Sequence, residues 1–151
     1  MITYQVEPYE ACIEELKPLF PAHWAELALN QDKVPLDPQY DVYAQRAARG
    51  EVLMVTAREL GVLVGYFVGF VAPALHYRTC LTLTMDIFYI APAYRKRSAG
   101  IRLFKFVEHE ARRRGVKRLF VGSKLHKDAS ALFARLNYEP VETYFSAWLG
   151  D

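Results

Sequence analysis

Residues 90–103 read Ile90-Ala91-Pro92-Ala93-Tyr94-Arg95-Lys96-Arg97-Ser98-Ala99-Gly100-Ile101-Arg102-Leu103: an apolar run stops at a proline, a small basic turn follows, and an amphipathic pattern begins at once. From Ser98 to Arg114 the small or apolar positions are Gly100, Leu103, Phe104, Val107 and Ala111. Arg102, Lys105, His109, Arg112 and Arg113 take the other face, and Gly115 follows the end. That spacing predicts one long helix entered directly from a strand. The first turn of such a helix offers free N–H donors and the positive end of its dipole, and small residues let phosphate oxygens reach the backbone. Arg95, Lys96 and Arg97 add cationic charge, so the turn has the makings of an anion site. Walker A and GxGxxG spacings are both absent here, so the common nucleotide loops do not account for it.

Working outward, Val52 to Thr56, Val62 to Ala72 and Leu81 to Ile90 are apolar or rich in Thr and aromatics, with a turn at Arg58 to Gly61. They are expected to form an antiparallel meander. Lys117 to Gly122 reads as a short buried strand, and strand, helix, strand at this length implies a parallel pair with a crossover helix. Asp128 to Leu136 is expected to be the last helix, and Glu142 to Leu149 (ETYFSAWL) alternates as a final strand would. Before residue 50 the periodicity is helical: Tyr9 to Phe20, broken by Pro18; His23 to Asn30; and Pro38 to Arg49, with Asp37 as its cap and Gly50 past its end. The expected class is α/β, a single domain over residues 1–151 with a mixed, mostly antiparallel central sheet flanked by helices.

Composition narrows the function. A chain of 151 residues that is 52% hydrophobic and 14% aromatic has the apolar supply for one core and is not a disordered linker. The longest apolar stretch, Gly61 to Leu75, is interrupted by glycines and Pro73 and falls short of the roughly 20 residues that cross a bilayer. The first twelve residues carry Glu7 and Glu10 but no Lys, Arg or apolar signal core, so a cytoplasmic protein without membrane contact is expected. Cys12 and Cys80 make no disulfide framework or CxxC pair and are expected as buried thiols. Histidines 23, 76, 109 and 126 are dispersed, and no metal is expected. Charge is segregated: residues 1–60 hold 5 basic and 10 acidic side chains, residues 61–151 hold 14 and 7. The first part suits a cationic partner, the second an anionic one.

Pro92-Ala93-Tyr94-Arg95-Lys96-Arg97-Ser98-Ala99-Gly100 resembles the signature after the fourth strand in the GNAT superfamily of N-acetyltransferases, Pro-x-Tyr-Arg-Gly-Lys-Gly-x-Gly, with core Gln/Arg-x-x-Gly-x-Gly/Ala. Arg95 takes the first core position and Gly100 the last; Ser98 stands for the middle glycine and Lys96 for another. Leu60 to Gly65 is similar to the family's second-to-third strand hairpin. Ala129-x-x-x-Phe133-x-x-x-Asn137-Tyr138 is similar to its later Ala-x-x-x-Tyr-x-x-x-Gly-Phe element. The resemblance implies a sheet with splayed central strands and acetyl-CoA as co-substrate. The pyrophosphate would lie on the amides of Arg97, Ser98, Ala99, Gly100 and Ile101, with Arg95 and Lys96 near the phosphates. Pantetheine would run along Phe88, Tyr89 and Ile90 like an added strand, with His126 where many members carry a cofactor-contacting Asn.

Transfer requires a neutral amine, and a lysine-like amine with a pKa of about 10.4 is mostly protonated at neutral pH. Asp86, on the strand leading to the motif, is the expected general base, with Tyr89 and His76 as water-mediated helpers. A backbone N–H near Ile90 would meet the oxyanion. Where the family places its tyrosine general acid this chain has Phe133, leaving Tyr138 and Tyr144 as substitutes. The acceptor pocket is expected among His23, Trp24, Tyr40, Tyr43, Tyr144 and Trp148. The expected partners are acetyl-CoA and an amine acceptor, a small molecule or a protein, with a homodimer left open. Two other readings stand beside this one. One is a GNAT fold that binds acyl-CoA without turnover, with Phe133, Tyr138, Phe145 and Trp148 simply core. The other is a nucleic-acid surface built on the ten basic residues from Arg95 to Arg118, which lacks any recognised reading motif.

Overall fold

The computed structural model describes residues 1–96 and 98–151. At the centre of the sheet Leu60 and Gly61 both have positive φ, 50° and 83°, the pattern of a type I′ turn whose twist suits a tight hairpin. The turn joins β2 (Val52–Glu59) to β3 (Val62–Ala74), which returns as β4 (Tyr77–Ile90). This is the antiparallel meander the sequence predicts. Helix α4 (Ala99–Arg113) crosses over, and β5 (Arg118–Phe120) pairs parallel to β4. A strand at the N-terminus, β1 (Ile2–Val6), pairs antiparallel with β2 and completes a five-stranded mixed sheet among the described residues, in the order β1-β2-β3-β4-β5.

Side chains alternate between the two faces of a strand, and each face here has its own apolar cluster. Leu53, Val55, Phe67 and Leu83 pack with Leu103, Phe104 and Val107 of α4 and with Phe133 of α5 (Ser130–Arg135). Met54, Tyr66, Val68 and Tyr89 pack on the opposite face with Tyr9, Cys12 and Leu16 of α1 (Tyr9–Leu16) and Phe20 of α2 (Phe20–Leu27). Tyr40, Tyr43 and Ala47 of α3 (Tyr40–Ala48) cover the same cluster. Pro18 lies in the single 3-10 turn between α1 and α2, where its missing N–H and fixed φ break the helix as expected.

Several expectations are corrected. The N-terminal residues form β1, whose Ile2 and Tyr4 face the α4 cluster. The helix expected at His23 to Asn30 lies earlier, at Phe20–Leu27. Helix α3 starts after Gln39 with no side-chain cap; Asp37 does not cap it and instead lines a pocket. The strand expected over Lys117 to Gly122 is three residues long. Cys12 is buried, which raises its thiol pKa to about 11, whereas Cys80 is only half-buried.

The largest correction is at the C-terminus, where residues 139–151 form no strand. The chain leaves α5 through Asn137, at φ 60°, and runs as an exposed arm until the Trp148 ring meets Lys33 Nζ at 5.0 Å. Phe145 is 93% exposed and Trp148 is 43% exposed, so neither is core. Alternation alone does not make a strand; a ladder partner is needed, and the arm does not lie beside one.

Candidate active site

β5 meets β4 only at Thr82, Leu83 and Thr84, while β4 continues to Ile90. From Met85 onward, among the described residues, that edge of β4 has no strand beside it, so the two parallel strands diverge toward their C-terminal ends. An extended ligand arm can bind there as a strand does, through backbone groups. Phe88 forms the wall on the α4 side, with its ring centroid 5.1 Å from Phe104 and 6.1 Å from Phe133.

The β3–β4 ladder is offset at the same place: Val68 faces Ile87 and the next residue, Gly69, faces Met85. Asp86 is thus the extra residue of a β-bulge. Met85 and Phe88 belong to the α4 face and Ile87 to the α1–α3 face, so the bulge places Asp86 and Ile87 consecutively on that second face. There Asp86 accepts a hydrogen bond from Tyr43 of α3. Neighbouring side chains desolvate its carboxyl and raise its pKa, against the opposing pull of the Tyr43 hydroxyl and Arg46. The carboxyl keeps an open side. A pocket of about 310 Å³ lies against the same helix, lined by Asp37, Pro38, Gln39, Val42, Tyr43, Arg46 and Phe70.

Beyond Ile90 the turn at Pro92–Tyr94 leads to Ser98, which has a left-handed φ of 54°. That conformation suits glycine, which explains the glycine at this place in the family signature. The first intrahelical donor of α4 is Arg102 N, to Ser98 O at 3.0 Å. The helix itself therefore offers no acceptor to the amides of Ala99, Gly100 and Ile101. Tyr4 of β1 donates its hydroxyl to Ala99 O at 3.1 Å, bracing this first turn from a strand the sequence reading missed. A Cβ on Gly100 would come within 3.3 Å of Leu132 in α5, so the glycine also sets how closely α5 packs there. Lys96 is exposed; Arg97 lies outside the described residues.

Arg95 is drawn under the loop. Its Nε donates to Ile90 O at 2.7 Å and its Nη2 to both Glu26 oxygens at 2.8 and 3.0 Å. The Glu26 carboxyl, held below the usual range chiefly by Arg95, also lies 3.7 Å from Lys127 in the loop after β5. Glu26 of α2 thereby ties together the two loops that flank the diverging strands. No signal in the sequence singled it out. Next to it His23, 6% exposed, has Nδ1 2.7 Å from the Tyr66 hydroxyl and its ring 5.2 Å from Tyr89. Burial depresses the His23 pKa to about 4 and Arg95 lowers it further, while Glu26 opposes.

Other expected site residues lie elsewhere. Phe133 is buried against Phe88, Phe104 and Tyr138. Tyr138, its pKa raised first by burial and then by Glu108, donates its hydroxyl to Glu108 of α4 at 2.9 Å, on the face opposite Asp86. Tyr144 is 88% exposed on the C-terminal arm. His126 is exposed in the loop between Lys124 and Lys127, and His76 is exposed in the β3–β4 turn, at the other end of β4 from Ile90. Of the expected acceptor residues, the structure gathers His23, Tyr40 and Tyr43 on the α1–α3 face and leaves Tyr144 and Trp148 on the arm. Among the described residues no cluster of three His, Cys, Asp or Glu side chains could hold a metal, and no helix is long and apolar enough to cross a membrane.

Gly65, opposite Ile90, was not anticipated. A Cβ there would lie 2.7 Å from Tyr89 O and 2.6 Å from Ile90 Cδ1, so any side chain must push the end of β4 off the sheet. Gly65→Ala is expected to cost about 2–3 kcal/mol in denaturant unfolding. A cost below the error of that measurement would show that β4 yields freely at this point.

The chain was compared with known proteins. No curated protein matches it in sequence. Its structure resembles that of a ribosomal-protein-alanine N-acetyltransferase from Brucella melitensis biovar Abortus 2308 (TM-score 0.73, 14% identity, 99% of this chain and 100% of that one). It also resembles an aminoglycoside acetyltransferase from an uncultured soil metagenomic sample in complex with sisomicin (0.74, 14%, 99% and 97%). A third is a predicted acetyltransferase with acetyl-CoA from Clostridium acetobutylicum (0.68, 14%, 99% and 97%). At these identities the likeness is one of fold. The sequence profile of the Acetyltransferase (GNAT) family, however, matches residues 9–138, which include the diverging strands, the bulge and the turn into α4, and the chain belongs to that family.

Proposed function

We propose that the protein moves the acetyl group of acetyl-CoA to a primary amine by direct attack on the thioester. The observation that carries this is the free edge of β4 from Met85 to Ile90, which leads straight into the first turn of α4. Pantetheine lies along that edge past Phe88, Tyr89 and Ile90, and the pyrophosphate meets the amides of Ala99, Gly100 and Ile101, with Lys96 and Arg97 supplying charge. Running from α4 back along β4, the arm brings the thioester to the bulge. There Asp86 takes a proton from the amine nitrogen as the nitrogen attacks the carbonyl carbon, and the C–S bond breaks to release CoA thiolate. A thiol with a pKa of about 8.5 leaves without much help, which fits a Phe133 that has no hydroxyl. The acceptor enters on the α1–α3 face, where Asp37 and Asp86 favour a cationic amine. A compact polyamine or aminosugar suits a pocket of about 310 Å³.

Calorimetric titration with acetyl-CoA, followed by thiol release against an amine panel, tests this. Saturation at about 100 times Kd should stabilise the fold by roughly 2.7 kcal/mol, and Gly100→Asp should remove that gain. No binding overturns the reading. Binding without thiol release from any amine favours the non-catalytic module, which the buried apolar Phe133 supports. The nucleic-acid alternative has lost ground, because Arg112 and Arg113 are paired with Glu108 and Glu110 and Arg95 with Glu26.

A further inference from the structure

β5 is the edge of the sheet, three residues long and paired on one side only. Beside it a groove of about 680 Å³ runs between α4 and the segment after α5, with Arg112, Lys117, Arg118, Leu119 and Val121 among its lining residues. An open strand edge next to a partly apolar groove is a template for another strand. The same molecule carries a strand without a sheet. Along residues 141–149, Val141, Thr143, Phe145, Ala147 and Leu149 alternate with Glu142, Tyr144, Ser146 and Trp148. In this arm Val141, Phe145 and Leu149 are 71%, 93% and 93% exposed. Charge is complementary as well: residues 139–151 contain Glu139, Glu142 and Asp151 and no Lys or Arg, while the groove presents Arg112, Lys117 and Arg118. The root of the arm, Glu139 and Val141, already lies on the groove wall, but the arm then runs away to Lys33, between α2 and α3, and does not cover its own β5.

We propose that two copies of this chain exchange these arms, each laying residues 141–149 along the partner's β5 edge with the apolar face in the α4–β5 groove. Because root and groove are adjacent, the exchange is reciprocal and closes as a two-fold dimer. Nine extended residues reach about 30 Å, enough to pass the whole of β5. The strand expected from the alternation of ETYFSAWL then forms, with its ladder partner in the second copy. The proposal does not depend on acetyl transfer.

Sedimentation equilibrium of the intact protein is expected to give twice the 17.4 kDa chain mass. Removal of residues 140–151 should give a monomer that still unfolds cooperatively. Lys117→Glu with Arg118→Glu should weaken the dimer at least tenfold, and adding Glu142→Lys should recover part of the loss. Carbodiimide coupling of Glu142 to Lys117 in a mixture of 14N- and 15N-labelled protein should yield mixed-isotope peptides. A monomer at all accessible concentrations, a dimer that survives loss of the arm, or coupling confined to single-isotope peptides would each overturn the proposal, the last by showing the arm folded back on its own β5.

Discussion

Asp86→Asn will lower kcat at neutral pH by about 100-fold or more, the usual contribution of a positioned base. The loss will shrink as pH approaches the amine's own pKa of about 10.4, because an already neutral amine needs no base. The amide is nearly isosteric and still accepts from Tyr43, so the bulge and the fold are retained. Tyr43→Phe adds a second reading with its own sign. The Tyr43 hydroxyl favours the ionised carboxylate, so its removal raises the Asp86 pKa and moves the acid limb of the pH–rate profile upward. An Asp86→Asn deficit that is equal at every pH would make the carboxylate a structural ligand of Tyr43 and no base.

Between pH 6.5 and 4, burial of His23 will make folding stability fall by about 3 kcal/mol. The histidine pKa is depressed from 6.5 to about 4 in the folded protein. Within that window the unfolded chain binds the proton and the native one does not, so stability rises with pH and is fully present above 6.5. About 2.5 units at about 1.36 kcal/mol each give the magnitude. His23→Gln keeps a partner for the Tyr66 hydroxyl and removes the titration. The difference between wild-type and variant unfolding free energies should therefore decline as pH falls from 6.5 to 4. Parallel curves would mean that His23 titrates normally and that water reaches it.

The meander, the crossover helix and the basic turn were legible because each depends on local periodicity or on a compact motif. β1 left a weaker trace, Ile2, Tyr4 and Val6 in alternation, too short to stand out among polar neighbours. The bulge left none, since it is a break in alternation and depends on how Val68 and Gly69 register against β4. Asp86 was found from its place before the motif, but its contact with Tyr43 joins residues 43 positions apart, and no pattern of spacing reports that. Glu26 is similar: its meaning comes from Arg95 and Lys127, which only the folded chain brings to it. The C-terminal stretch misled for the opposite reason, because its local pattern is good and its partner is missing.

The register of β4 has one more implication. Leu81, Leu83 and Met85 share the α4 face with Phe88 and Ile90, while Ile87 and Tyr89 turn the other way. Strike out Asp86 and the remaining residues alternate without a fault from Leu83 to Ile90. The carboxylate is supernumerary to the sheet: the code for folding and the code for chemistry are written in the same strand, and here they are separable letter by letter. The body of the protein tolerates, and does not require, the one residue on which the proposed reaction turns.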